Sequence, residues 1–235
     1  MDKIIKNSNL RMLEFAANKL GELCQEVVFL GGCTTALLID DESSPDVRHT
    51  TDVDCIVDII SRSAYGKFEK SLRKQGFKND IHADVLCRWF FDDLVLDVMP
   101  VEEKILGFGN FWYKSAIKNP WIYEFSNNLT IKVVSAPYFL ATKIEAFKTR
   151  GKLDYLASHD FEDIISVIAG RIDLALEVQR SNPELRQYLV TEFNSFISSR
   201  AFHDAIPGHF TQYGRLVEDK VEWLLEKISL IIKAG

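Results

Sequence analysis

The stretch RHTTDVDCIVDI, residues 48–59, limits the folds open to this chain more than any other. Val53, Cys55, Val57 and Ile59 alternate with Asp52, Asp54 and Asp58, and a period of two predicts a strand with one apolar and one acidic face. Asp52 and Asp54 lie one strand repeat apart, about 6.6 Å between Cα atoms at the usual rise, so both carboxylates can reach a common point. A strand this apolar belongs inside a sheet. Its acids then either face solvent, as on the open side of an antiparallel sheet, or share something positive.

The neighbouring sequence supplies the rest of that sheet. Residues 8–24 put Leu13, Ala16, Ala17, Leu20 and Leu23 on one helical face. EVVFLGG then reads as a short buried strand ending in glycines, and CTTALLI as the start of a helix. DDESSPDVRHT, residues 40–50, is a polar loop. A charged helix is predicted over 63–75. DVLCRWFF and LVLDVM form a β-hairpin turning at Asp92-Asp93, and WIYEF and LTIKVV a second one turning at Ser126 to Asn128. From Ala136 the strand pattern stops. Pro137 followed by Leu140, Ile144 and Phe147 predicts a helix, with further helices over 160–180, 184–199 and 212–233. The expected class is α+β: a small mixed sheet with flanking helices over residues 1–135, then a C-terminal helical bundle over 136–235. In the last helix Val217, Val221, Leu224, Leu225, Ile228, Ile231 and Ile232 make a broad apolar stripe, which either packs on its own domain or forms a dimer seam.

Composition narrows the function. The chain has 235 residues, 47% hydrophobic and 26% charged, with a formal net charge of -6, which is ordinary for a globular protein with a real core. The opening MDKIIKNSNLRMLEF lacks the apolar run of a secretory leader, and no apolar stretch is long enough for a membrane span. Cys24, Cys33, Cys55 and Cys87 are scattered, without a CxxC pair; buried, reduced thiols in a cytoplasmic protein are expected.

Three features point to chemistry. Asp52-x-Asp54 is the first. The second is Asp97 in the apolar strand LVLDVMP, where an unpaired carboxylate would be costly to desolvate unless it is a satisfied edge-strand acid. The third is Gly31-Gly32 between a strand and a helix, either a plain turn or a place where bare backbone approaches a ligand. Together they offer a phosphate cradle and three hard oxygen ligands. Such carboxylates suit Mg²⁺ or Mn²⁺, which keep waters and phosphate oxygens in their shell. Two ions about 4 Å apart could activate a hydroxyl and stabilise a leaving pyrophosphate, with a helix N-terminus favouring a triphosphate.

FLGGCTTALL, TTDVDCIVD and LVLDVMP resemble the three signatures of the nucleotidyltransferase superfamily related to DNA polymerase beta. The resemblance implies that Gly31, Gly32 and Thr34 hold the nucleotide's phosphates. It also implies that Asp52, Asp54 and Asp97 bind the metals, with Asp97 as general base. TKIEAFKTRGKLDYLASHDFEDIISVI is similar to the C-terminal motifs of AbiEii-type nucleotidyltransferases, the toxin halves of abortive-infection and toxin–antitoxin pairs. There Lys143, Arg150, Lys152, Asp160 and Asp163 match by position and order, and His159 stands where the family has a lysine. By that resemblance Lys143 is catalytic and, with Arg150 and Asp160, nucleotide-binding. The resemblance spans about residues 25–170.

Read without the family, Asp160 and Asp163 share one helix face, and Lys143 and Arg150 flank a stripe on another helix; ordinary salt bridges would explain them equally. His49 and His159 read as solvated loop histidines. Lys67, Lys70, Arg73, Lys74 and Lys78 form a basic run that is either a solvated helix face or a modest RNA surface, and Lys148, Arg150 and Lys152 are the better phosphate contacts. The expected reaction is transfer of a nucleoside monophosphate from an NTP to an acceptor hydroxyl. RNA, possibly the 3′ end of tRNA, is the implied acceptor, with a cognate antitoxin protein as partner. A small hydroxylated molecule such as an aminoglycoside, or a non-catalytic nucleotide-binding role, are the alternatives.

Overall fold

The computed structural model describes residues 2–41, 47–79, 85–126, 128–210 and 217–234. Its contacts divide the chain into two compact units, Met1–Ala36 with His49–Ser135, and Leu37–Arg48 with Ala136–Gly235. Among the described residues no helix is long and apolar enough to cross a membrane.

The first unit is built on six strands: β1 (Val27–Leu30), β2 (Asp52–Val57), β3 (Arg88–Phe91), β4 (Leu94–Pro100), β5 (Pro120–Glu124) and β6 (Thr130–Val134). They form one mixed sheet in the order β3-β4-β2-β1-β6-β5. The hairpins β3–β4 and β5–β6 and the pair β1–β2 are antiparallel, while β2–β4 and β1–β6 are parallel. All four residues of β1 are buried, as expected of a strand flanked on both sides. The first hairpin turns at Asp92-Asp93, and Asp92 takes the left-handed conformation (φ 50°) that two-residue turns require. In the second hairpin, residue 127 of the expected turn lies outside the described residues.

Helices α1 (Asp2–Leu20), α2 (Thr35–Leu38), α3 (Arg62–Lys74) and α4 (Tyr113–Ala116) complete the sequence of elements in this part of the chain. The first helix starts earlier than its apolar pattern indicates and stops at Leu20, because Gly21 adopts φ 56° and a 3₁₀ turn follows over Gly21–Glu26. In α3 the Ser61 hydroxyl caps the first turn by accepting from the Ala64 N–H. Tyr65, Phe68 and Leu72 form its buried face. Strand β2 ends at Val57 rather than Ile59, so Asp58 is not part of the acidic face.

The second unit carries α5 (Ala136–Thr149), α6 (His159–Gly170), α7 (Leu174–Arg180), α8 (Pro183–Ser198), α9 (Arg200–Ala205) and α10 (Val217–Lys233). The single helix expected over 160–180 is broken in two. The Gly170 carbonyl accepts from the N–H groups of Asp40 and Asp41 (3.0 and 2.9 Å), so the loop occupies an acceptor that a continuing helix would use. The Ile172 N–H donates to the Asp40 side chain at 2.8 Å, and Arg171 bridges Asp40 and Glu177. Helix α9 has no counterpart in the sequence reading. In α10, Leu224, Ile228 and Ile231 are buried, and the helix packs on α6, α7 and α8; the expected residues 212–216 lie outside the described ones, as do 42–46 of the 40–50 loop. All four cysteines are buried, and none forms a disulfide.

Candidate active site

Pairing geometry sets the acids on a common face. Strand β2 runs parallel to β4 with Asp52 opposite Val95 and Asp54 opposite Asp97. Residues paired across a ladder share a face, and so do residues two apart on one strand. Asp52, Asp54 and Asp97 therefore lie on one face of the middle of the sheet. The opposite face of β2 is apolar, with Val53 and Cys55 fully buried. Asp97 is not an edge-strand acid, because β4 lies between β3 and β2.

The carboxylates are not left without counter-charge. Arg88 on β3 is the antiparallel partner of Asp97 and grips it with both arms of its guanidinium, Nε to Oδ1 at 2.9 Å and Nη2 to Oδ2 at 2.7 Å. The same Nη2 donates to Asp52 Oδ2 at 3.2 Å. The hydrogen bonds to Asp97 push the Arg88 guanidinium above its already high value, against the opposing effect of burial. The other oxygen of Asp52 accepts from the Thr50 hydroxyl at 3.0 Å. Thr50 is itself fixed by its backbone N–H, which donates to the buried Asn9 side chain of α1 at 3.3 Å. Arg88 was not among the residues singled out in the sequence. Its signal was there: a two-residue turn at Asp92-Asp93 sets 91 opposite 94, and so 88 opposite 97.

Gly31 has a steric requirement of its own. Its φ is 80°, and a Cβ built on it would stand 2.0 Å from Asp54 Oδ2. Only a glycine lets that carboxylate rest against the backbone at the end of β1. Gly32 and Thr34 follow in a buried 3₁₀ turn, and the helix after it, α2, is only four residues long. The Thr34 hydroxyl donates to the Gly31 carbonyl at 2.9 Å and is fully buried. As it stands, that hydroxyl braces the glycine turn rather than pointing outward.

A second group of charges occupies the helical unit. Lys143 of α5 donates to Asp160 Oδ1 (2.9 Å) and pairs with Asp163 Oδ2 (2.7 Å), both on α6. Arg150 grips Asp160 with Nε at 2.7 Å and Nη2 at 2.8 Å. Arg48 does the same to Asp163 at 3.1 and 3.2 Å. Three cations thus face two carboxylates, 3 − 2, a surplus of one positive charge. Lys143, Asp160 and Asp163 are buried, whereas the Arg150 side chain is 72% exposed. Burial alone would push Lys143 down, but the carboxylates of Asp163 and Asp160 reverse that and hold its ammonium above the ordinary value. For Asp160, burial pushes upward, and the hydrogen bonds of Arg150 with the charge of Lys143 overcome it, holding the carboxyl well below the usual range.

Arg150 lies just beyond the end of α5 instead of on its face. Lys148 points elsewhere, pairing with Glu192 at 2.6 Å and Glu145 at 3.5 Å. Lys152 is exposed with φ 50°. His49 is exposed; His159 is also exposed but opens α6, 3.4 Å from Glu162, rather than lying in a loop. The five basic residues from Lys67 to Lys78 are all exposed.

The donor set on the sheet fits a hard divalent cation: three carboxylates, with no imidazole among them. Among the described residues no three His, Cys, Asp or Glu side chains are gathered into a ready cage. Asp52 and Asp97 are instead joined through Arg88. No family model matches the chain. No curated protein matches it either.

Two outcomes follow from this geometry. Gly31→Ala should cost about 2 kcal/mol or more from the clash and the left-handed backbone, read as a lower urea midpoint; Asp54→Ala in the same chain should recover part of it, and no recovery would refute the contact. Because Asp160 is held low in the folded state, its contribution is present above about pH 4 and lost as pH falls below that. Acid titration of helical circular dichroism should therefore show a slope between about pH 4 and 2 that Asp160→Asn flattens. An unchanged slope would assign the acid sensitivity elsewhere.

Proposed function

We propose that this chain is a divalent-metal-dependent nucleotidyltransferase of the superfamily related to DNA polymerase beta, akin to AbiEii-type toxins. The observation that carries the reading is the β2–β4 register, which sets Asp54 opposite Asp97 with Asp52 one repeat away on the same face. It is supported by Gly31 at the end of β1, under the Asp54 carboxylate. Three acids on one face in the middle of a sheet repel one another unless cations offset them, and Arg88 supplies a single positive charge.

Mg²⁺ or Mn²⁺ held by Asp52, Asp54 and Asp97 would supply charge to acidify the acceptor hydroxyl and stabilise pyrophosphate. The acceptor oxygen bonds to the α-phosphorus of the NTP. The bond from that phosphorus to its bridging oxygen breaks, and pyrophosphate leaves with the electron pair. The acceptor's proton passes to the Asp97 carboxylate. Thr50 fixes the orientation of Asp52 through its hydroxyl. In the helical unit Lys143 and Arg150 carry the positive charge that this reading assigns to the triphosphate, and Asp160 orients both.

RNA is the proposed acceptor, with tRNA 3′ ends as the first candidate, an antitoxin protein as partner and the cytoplasm as the location. The exposed lysines and arginines of α3, with Arg150 and Lys152, supply phosphate contacts. One observation favours a second reading, a non-catalytic nucleotide-binding protein: Arg88 already neutralises Asp97 and part of Asp52. Purified protein with Mg²⁺, each of four α-labelled NTPs and total RNA decides between them. Label should enter RNA, fall steeply between about 50 and 200 mM salt, and vanish in Asp54→Ala. Label that enters only an aminoglycoside, with little salt dependence, would move the acceptor to small molecules. No transfer to any acceptor would favour the binding protein.

A further inference from the structure

Arg88 is the charged group beside Asp52 and Asp97 that the proposed chemistry leaves unused. It cannot be a bystander, because the two-residue hairpin turn fixes it opposite Asp97 and its planar fork takes both oxygens of that carboxylate. The same guanidinium reaches one oxygen of Asp52 at 3.2 Å. We propose that Arg88 is a built-in counter-cation that competes with the divalent ion for Asp97 and Asp52 and so sets the metal affinity of the site. The inference rests on the reading of these acids as metal ligands.

Three features make the competition physical. The first is charge: three carboxylates and one guanidinium sum to −3 + 1 = −2 over these four residues. The acids are therefore compatible with one another before any metal arrives, and an incoming ion meets a net charge of −2 rather than −3. The second is permanence. An arginine stays charged at every pH at which the fold survives, so the counter-charge is lifted by movement and not by deprotonation. The third is room to move. β3 is the first strand in the sheet order, and the Arg88 side chain is 31% exposed. The guanidinium can leave Asp52 for solvent without opening the core, whereas Asp97, with a side chain only 10% exposed, stays in place. Thr50 keeps Asp52 oriented through the exchange, since it holds the oxygen that Arg88 does not. A device of this kind lets the acids fold close together and still present themselves to a dication.

The test is equilibrium Mn²⁺ binding to the full chain, read by electron paramagnetic resonance, without nucleotide or turnover. Arg88→Met keeps the length of the side chain and removes its charge; it should bind Mn²⁺ about tenfold tighter than wild type or more. Arg88→Lys, which keeps the charge without the fork, should fall between the two. Arg88→Met combined with Asp54→Asn should lose the gain. A second readout is taken on the wild type and needs only the conservative Arg88→Lys for assignment. In ¹⁵N-labelled wild type, the Arg88 side-chain Nε–H resonance, identified by its absence in Arg88→Lys, should shift progressively as Mg²⁺ is added.

Wild type and Arg88→Met binding Mn²⁺ equally, with an unmoved Nε–H signal, would overturn the inference and leave the metal reading standing. Weaker binding in Arg88→Met would overturn it in the other direction, making Arg88 a support of the metal site. No binding by either protein would bring down the inference together with the metal reading of Asp52, Asp54 and Asp97.

Discussion

Parallel pairing between β2 and β4 is the constraint on which the rest of the candidate site depends. It places Asp54 and Asp97 at the same level of adjacent strands, which no hairpin could do for residues forty-three positions apart, 97 − 54. Once that register is set, Asp52 follows from the strand repeat, Gly31 follows from the space Asp54 occupies, and Arg88 follows from the β3–β4 hairpin. Apolar burial on the other face locks the arrangement. Slipping β2 by one residue would turn Val53 and Cys55 outward and drive the acids into the core, a change that hydrophobic burial strongly opposes.

The two charged clusters solve the same problem with opposite signs. On the sheet, acids outnumber the cation, and the excess is negative and half-buried. In the helical unit cations outnumber acids, and the exposed member is Arg150. Buried ion pairs contribute little net stability when complete, but losing one partner leaves a charge stranded and is costly. Complete pairing around Lys143 therefore fixes α5 against α6 and also keeps a positive surplus at the surface. The sheet keeps a negative one.

Much of this was legible in the sequence, and the failures have identifiable causes. The period-two alternation of Val53 and Cys55 against Asp52 and Asp54 gave β2. The Asp92-Asp93 turn gave a hairpin whose arithmetic contains the Arg88–Asp97 pair, but a lone arginine in a strand carries no motif that marks it as the partner of an acid. The bond of the Thr34 hydroxyl to the Gly31 carbonyl was not foreseen, although a hydroxyl in a 3₁₀ turn readily finds the carbonyl three residues back. The break after Gly170 was invisible because the apolar pattern continues across it; the cause is Asp40, some 130 residues earlier. Arg150 fell off the expected helix because Gly151 and the left-handed Lys152 and Leu153 end it. Arg48 was missed as the partner of Asp163 for the same reason as Asp40: nothing local marks a long-range pair.

The proposed nucleotidyl transfer requires Asp52, Asp54 and Asp97 to act as one metal centre. A crystal of the full chain soaked in Mn²⁺, with anomalous scattering collected at the manganese edge, tests this most directly. The expected result is an anomalous peak coordinated by oxygens of these three residues, with the Arg88 guanidinium withdrawn from Asp52. A map without a peak there, and with Arg88 still spanning Asp97 and Asp52, would contradict it.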